Sequence, residues 1–563
     1  MQSLKNLVLK LIKSDNVKKI FILFLPLFFL PIADMGATKS KFFAELLCLL
    51  SLSFIYIFQL IKYKKDFKLN KNFHVLFISF ALLFFLSAAL NSFKIITVYN
   101  LFYQILVIIF LIFSFNLNSL QRNIPVNFIF YSGIIPALSS FFWNILFDNV
   151  VFSYSTFGNQ NFLSSYIVII ASYFIKIKKN LISYTVFFFY IFTVFYSSSR
   201  NGMIGFLIII LFILIPKLTR KNLKYFFTGL ILSFIILFIL KFDSISRISS
   251  IEYRLYLNKI SMNLISENLL KGIGSGNYGW KAVDIQSNIL LKNPDNNFLW
   301  KNRNNITHAH NDYIELFCEY GLIIFIFIFI LIKGSKYFDF TDYHTKVFLV
   351  LIAVLSMFSF PLRLSAHRFI LYLFIISIFK NQNNDIKYIS SKKIGFIFLP
   401  IVIFLFIFAF LLPFYSEINV SLLNSNDKDF KNKAEFYTDI YKGNINGFEK
   451  LAFLYVLEDD FNKFEKLSEF TSNNFYSAKI TATKGFYFEK IEEYNKAEFF
   501  YKKAILSSKR YIFPVKRLVA VFLIQGRFVE AIDFLETMLR FDYTKELEEF
   551  YMKIKKSLKV GNR

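Results

Sequence analysis

The chain has 563 residues, 56% of them hydrophobic and 78 of them Phe, with a formal net charge of +27. Soluble domains are less apolar than this, so the composition excludes an ordinary globular enzyme. The charge is not a nucleic-acid signal: residues 417–563 are nearly balanced, with 22 acidic and 25 basic side chains, and the excess of Lys and Arg sits among the apolar runs.

Residues 1–19 read as a basic segment on the inner side of a membrane. The first apolar run follows Lys10, Lys13, Lys18 and Lys19 with no small-residue cleavage pattern after it, so it is expected to be a retained span. Residues 20–416 read as an all-α polytopic bundle of about thirteen spans, near residues 20–35, 42–61, 73–90, 97–115, 126–147, 162–175, 181–196, 202–216, 225–241, 313–332, 347–362, 364–379 and 394–413. With the N-terminus inside, Lys and Arg concentrate in the inner loops, as the positive-inside rule requires. A long loop, 242–312, and the tail, 417–563, then face outward. Cys48 and Cys318 both fall in or beside spans, which excludes a disulfide framework and favours small buried hydrophobes.

Four outward segments carry the chemistry-bearing residues. The first is Ser197 to Gly202, with Arg200 at the mouth of a span, where a guanidinium is costly without an anion or a carboxylate. The second is an amphipathic stretch, Ile251 to Tyr256, containing Arg254. The third, Gly272 to Gly279, spells G-x-G-x-x-G with Gly274, Gly276 and Gly279. No strand precedes it, so a dinucleotide site is not expected, and a turn approaching a ligand is. The fourth runs from His308 to Gly321. A His-x-His pair can bind a metal, but no second ligand cluster faces outward, so no metal and no cofactor are expected. Loop 148–161 ends in Gly158-Asn159-Gln160-Asn161, a turn whose amides suit sugar hydroxyls or a helix cap.

The tail repeats itself. Tyr494-Asn-Lys-Ala497 and Phe528-Val-Glu-Ala531 lie 34 residues apart, and Gly485, Phe488, Tyr501 and Ala504 fit a small/large alternation. Small residues at that spacing let paired helices approach closely, and the pattern resembles tetratricopeptide repeats, a soluble helical-repeat domain that binds partners.

Taken in order, Ser199-Arg200-x-Gly202, then Arg254 with Gly272-x-Gly274-x-Gly276-Asn-Tyr278, then His310-Asn-Asp-Tyr313-Ile-Glu315-Leu-x-x-Glu319-x-Gly321 resemble the O-antigen ligase/polymerase superfamily of polytopic glycosyltransferases. Leu269 and Tyr278 stand where that family often has Pro and Phe. The resemblance implies a polyprenyl-diphosphate-linked glycan donor used on the outer face of the bacterial inner membrane. It implies catalytic roles for Arg200, Arg254 and His310; Gly274, Gly276 and Asn311 in the motif segments, His308 just before the motif histidine, and Arg363 and Arg368, which match no motif but face the same side, are candidate substrate contacts. The acceptor is a lipid A–core sugar, a growing polysaccharide or a protein hydroxyl. The competing readings are a transporter of lipid-linked sugar, which predicts two symmetric halves, and a non-catalytic assembly scaffold built on the repeats.

Overall fold

The computed structural model describes residues 19, 21–22, 37–62, 67–92, 94–115, 126–146, 157, 159–197, 199–214, 248–294, 296–379, 386–423 and 429–561. The expected span 225–241 and most of 20–35 lie outside them.

Helices dominate, as the apolar runs dictate. The first is α1 (Ala37–Lys62), followed by α2 (Lys71–Leu90) and α3 (Ile95–Phe115). Next come α4 (Val126–Ser132), α5 (Ile134–Leu146), α6 (Gln160–Ala171), α7 (Leu181–Tyr196) and α8 (Arg200–Leu214). The long loop forms α9 (Ile248–Glu267), α10 (Tyr278–Lys292) and α11 (Asn297–Asn302). The chain then returns through α12 (Asp312–Tyr320), α13 (Ile323–Gly334), α14 (Tyr343–Phe358) and α15 (Ser365–Ser377). A final long helix runs from α16 (Ser391–Leu405) through a π-helical turn (Phe406–Leu411) into α17 (Leu412–Leu422). Among the described residues, Phe42–Gln59, Ile95–Phe115 and Gly395–Leu422 are each long and apolar enough to cross a membrane. Shorter apolar helices, Gln160–Ile175 and Leu181–Tyr196 among them, pack against one another and against α8 within the same buried cluster.

The expected span 313–332 is not one helix. It breaks into Asp312–Tyr320 and Ile323–Tyr337, bent by 116°. The break falls at Gly321, whose φ of +55° ends α12, a conformation costly for a side-chain-bearing residue. The apolar run begins only after it. Upstream, Asp312, Glu315 and Glu319 make α12 part of the loop assembly, where the Cys318 thiol contacts the Ser261 carbonyl.

One short antiparallel ladder departs from the all-helical expectation: Phe67–Asn70 pairs with Ile386–Ile389, Phe67 opposite Ile389. It joins two loops expected on the N-terminal side of the membrane, and the Phe338–Phe379 bridge and the Lys176–Asp342 ion pair tie together loops assigned to that side too.

At the other end of the bundle, the loop helices share a hydrophobic core with the later helices of the tail, while its first helices bury into a second cluster around Phe448, Leu451 and Phe464. The tail comprises α18 (Phe430–Ile440), α19 (Ile445–Leu457), α20 (Phe461–Asn474), α21 (Ala478–Lys490), α22 (Tyr494–Ser507), α23 (Ile512–Ile524), α24 (Phe528–Asp542) and α25 (Lys545–Gly561). Tyr256, Leu257, Tyr278 and Ala282 from the loop bury with Ala497, Tyr501, Leu518 and Ala531 from the tail. Gly485 lets α21 close on α22, since a Cβ there would stand 2.6 Å from the Tyr501 ring. Polar groups lock the seam: Gln286 Nε2 donates to the carbonyls of Leu506 (3.1 Å) and Ser507 (3.2 Å), and buried Arg303 pairs with Asp542. The assembly is fixed to the bundle by Asn277 Nδ2, which donates to Thr97 Oγ1 on α3 at 2.7 Å.

Candidate functional site

Arg200 is the first residue of α8 and is half-buried. Its neighbours are pinned. Ser199 Oγ donates to Asn161 Oδ1 (3.0 Å), Ser197 and Ser164 hydroxyls meet at 2.7 Å, and Asn201 Nδ2 donates to the Phe358 carbonyl at 2.8 Å. Gly202 allows this approach, because a Cβ would lie 2.6 Å from Val194 Cγ1 and 2.8 Å from Ser164 Cβ. Asn161 thus supports the Arg200 turn, while Asn159 caps α6 through the Asn161 N–H. The Asn159 and Asn161 amides are thus engaged by the protein itself.

Arg254 lies half-buried on α9, and burial together with the nearby Arg200 charge lowers its pKa. Neither guanidinium has a carboxylate partner among the described residues. Two half-buried cations held together without an anion among the described residues are electrostatically incomplete.

His310 completes the cluster. It takes a left-handed backbone, φ +55°, where the loop turns into α12. Its ring stands edge-on to Phe360 (5.1 Å) and to Tyr253 (6.2 Å). Burial, then the Arg254 charge and then His308 push its pKa down to about 4, partly opposed by Glu315. The imidazole is therefore neutral at pH 7 and keeps a lone pair. Asn311 is the helix cap: its Oδ1 accepts from the N–H groups of Tyr313 (3.0 Å) and Ile314 (3.1 Å). His308 stacks on Phe360 at 4.3 Å, and its Nδ1 lies 3.0 Å from Glu315 Oε1.

The remaining candidates are placed otherwise. Gly274 and Gly276 have positive φ, but their backbone meets protein. Gly274 N–H donates to the Glu319 carbonyl and Gly276 N–H to Glu319 Oε1 at 2.8 Å. A Cβ on Gly276 would lie 1.9 Å from Asn100 Nδ2. The glycine turn is the joint that seats the loop on α3. Arg363 is spoken for by carboxylates, with Nη2 2.7 Å from Glu319 Oε2 and Nε 3.4 Å from Glu315 Oε1. Arg368 lies inside the bundle, ion-paired with Glu45 and over the Tyr103 ring.

The sequence offers Asp312 as a support for the loop or the imidazole and gives no role to Glu315 and Glu319. Asp312, Glu315 and Glu319 are all buried at spacing i, i+3, i+7, one face of a helix. Asp312 Oδ2 accepts the Leu362 N–H (3.0 Å), and Glu315 Oε2 accepts the Ala309 N–H (2.9 Å). One helix face thus holds the His loop, the 361–363 turn and the Gly turn in register. The spacing, beside an arginine in a short apolar hairpin, was the available signal.

No curated protein matches the chain. Residues 185–330, which carry Arg200, Arg254 and His310, match the O-antigen ligase family, and together with its membrane-length helices this makes the chain similar, at a coarse level, to membrane glycosyltransferase-type ligases that work with a lipid-linked glycan donor and a glycan acceptor.

Proposed function

We propose that the chain transfers a glycan from a polyprenyl-diphosphate donor to an acceptor hydroxyl on the outer face of the bacterial inner membrane. The observation that carries this reading is the meeting of Arg200, Arg254 and His310, two cations without a carboxylate partner among the described residues and a neutral base. A diphosphate supplies the missing anion. Guanidinium forks bind its oxygens and stabilise the charge that grows as it leaves.

In the reaction the acceptor oxygen forms a bond to the anomeric carbon while the carbon–oxygen bond to the diphosphate breaks. The electron pair departs on the diphosphate, and the acceptor proton passes to His310. One displacement inverts the anomeric centre. A base with a pKa near 4 is weak, but its weakness comes partly from the Arg254 field. Donor diphosphate neutralises that field, so His310 gains basicity when the donor is bound. His308, held by Glu315, and Asn311, capping α12, position the His310 loop. We read the 34-residue spacing of the tail as tetratricopeptide-like and the tail as lying outside the membrane with the loop it covers.

The test is transfer in vitro by the purified chain from a polyprenyl-diphosphate glycan. A core lipid, a second lipid-linked glycan and a protein acceptor are offered separately, with Arg200→Ala and His310→Ala alongside. Product with one acceptor, lost in both variants, supports the reading and names the acceptor. Donor binding with no product from any acceptor moves the function to lipid-linked sugar transport or to a scaffold.

A further inference from the structure

Away from the His310 cluster, two adjoining cavities open between α10 and the tail. The smaller, about 200 Å³, is walled by the aromatic rings of Trp280, Phe475, Tyr476 and Phe500. The larger, about 860 Å³, lies between α9 and α10 and carries Asn263, Asn268, Asn288 and Asn293. Lys281 and Asp284 line both, so the two form one cleft.

The cleft is cationic on balance, five lysines lining it against Asp284 and Glu267. Lys484 and Lys503 line its small end and Lys259 and Lys292 its large end, while Lys94 stands over the Trp280 ring. Lys503 pairs with Asp284 at 2.8 Å. Lys94, Lys281 and Lys484 have no carboxylate partner among the described residues. Among the described residues, Lys484 Nζ reaches the Ser472 hydroxyl (2.6 Å) and the Phe500 ring. Burial and the neighbouring Lys503 lower its pKa, the sign of an ammonium short of counter-charge.

We propose that this cleft is a binding groove for an acidic glycan, with Lys281 and Lys484 taking the carboxylate of a sugar acid and the amides of the larger cavity taking sugar hydroxyls. It rests on the function proposed above and adds the chemical class of the sugar chain. Sugar hydroxyls donate and accept, and so require acceptors as well as cations. Asn263, Asn268 and Asn293 each give an Nδ2 hydrogen to their own helix, leaving the carbonyl oxygens to accept from a ligand. The aromatic wall offers flat apolar faces for the C–H side of a pyranose. A peptide would call for an apolar anchor pocket or a free strand edge, whereas here the aromatic wall stands beside lysines, amides, Asp284 and Glu267. The groove is separate from the reacting centre. Asn263 is nine residues beyond Arg254 on α9, and at roughly 100° per residue the two point to opposite faces.

The experiment is calorimetric titration of the full chain in phosphatidylcholine nanodiscs, without donor, using tetragalacturonic acid, neutral maltotetraose and hexaglutamate. The expected result is saturable, salt-weakened binding of tetragalacturonate, at least tenfold tighter than either other probe. Lys281→Gln and Lys484→Gln should each weaken it at least tenfold. Lys281 is only half-buried, so its variant reports even if Lys484→Gln disturbs the fold, which thermal unfolding of both variants checks. Equal binding of maltotetraose or hexaglutamate, no saturable binding, or full binding by a folded Lys281→Gln overturns the proposal. Because no transfer is read, an inactive protein can pass this test and an active transferase can fail it.

Discussion

The Arg254 guanidinium helps hold the His310 imidazole neutral, second only to burial. The sign of the resulting pH dependence follows. With a pKa near 4 in the free protein, His310 is deprotonated through the neutral range, so the acid limb of kcat/KM should fall near pH 4 rather than 6.5. The kcat limb, which reports the donor complex, should lie higher, because the diphosphate cancels part of the Arg254 field. Arg254→Gln removes that charge and should move the kcat/KM limb upward. Rate profiles from pH 3.5 to 8 for both proteins check this; an unmoved limb in Arg254→Gln would separate His310 from the arginine.

Arg200 and Arg254 should act on the transition state more than on folding. Neither is ion-paired among the described residues, so truncation strands no carboxylate there. Alanine at either position should cost about 10²–10³ in kcat, the scale for losing one positioned donor to developing charge. Arg200→Lys should recover little, since an ammonium cannot grip two diphosphate oxygens as a planar fork does. Thermal unfolding temperatures near that of the parent, beside collapsed turnover, are the expected pair of results.

Arg363 should behave in the opposite way. Its guanidinium meets Glu319 twice and Glu315 once, and both carboxylates are buried. Arg363→Met leaves two carboxylates in the interior and should destabilise by about 3–5 kcal/mol. Adding Glu319→Gln to that variant should return part of the loss. Unfolding in nanodiscs reads both; a fully stable Arg363→Met with impaired donor binding would restore the arginine to the substrate.

Gly276→Ala is predicted to lift the loop from α3. The added methyl would lie 1.9 Å from Asn100 Nδ2, and the φ of +78° adds strain of about 1–2 kcal/mol for any L side chain. Asn100→Ala in the same protein removes the collision and leaves the strain, so stability should return in part. Full loss in both variants would mean that the turn tolerates no Cβ at all.

Local patterns in the sequence carried the helices, the three motif segments and the 34-residue spacing, whose Ala497 and Ala531 are both fully buried. Each of those signals is written within a few turns of chain. Partners across the chain are not written that way. Glu45, which claims Arg368, is 323 residues away from it, and the Asn100 amide donates to the Ser275 carbonyl beside Gly276 from 175 residues off. Read alone, Arg363 and Arg368 are outward arginines and the glycines are a ligand turn. The bend at Gly321 was hidden for another reason: the strongly apolar helix after it raises the mean over the whole segment, masking three buried acids.

Arg303 and Asp542 test whether the tail is integral to the loop it covers. The Arg303 side chain is fully buried under the Trp300 ring, and among the described residues it reaches, besides Asp542, the carbonyls of Trp300 (2.8 Å) and Ile505 (3.4 Å). Asp542→Ala leaves that charge without its carboxylate and should cost about 3–5 kcal/mol, whereas breaking the exposed Lys301–Glu252 pair nearby should cost about 0.2–1 kcal/mol. Replacing both partners by apolar residues, Arg303→Met with Asp542→Leu, removes the buried charges together and should recover most of the stability. Hydrogen exchange across 278–302 is the local readout. Opening of α10 and α11 in Asp542→Ala, closed again in the double variant, would show that the tail holds the loop through this pair; unchanged exchange would place that hold in the apolar seam of Tyr256, Ala497 and Leu518 instead.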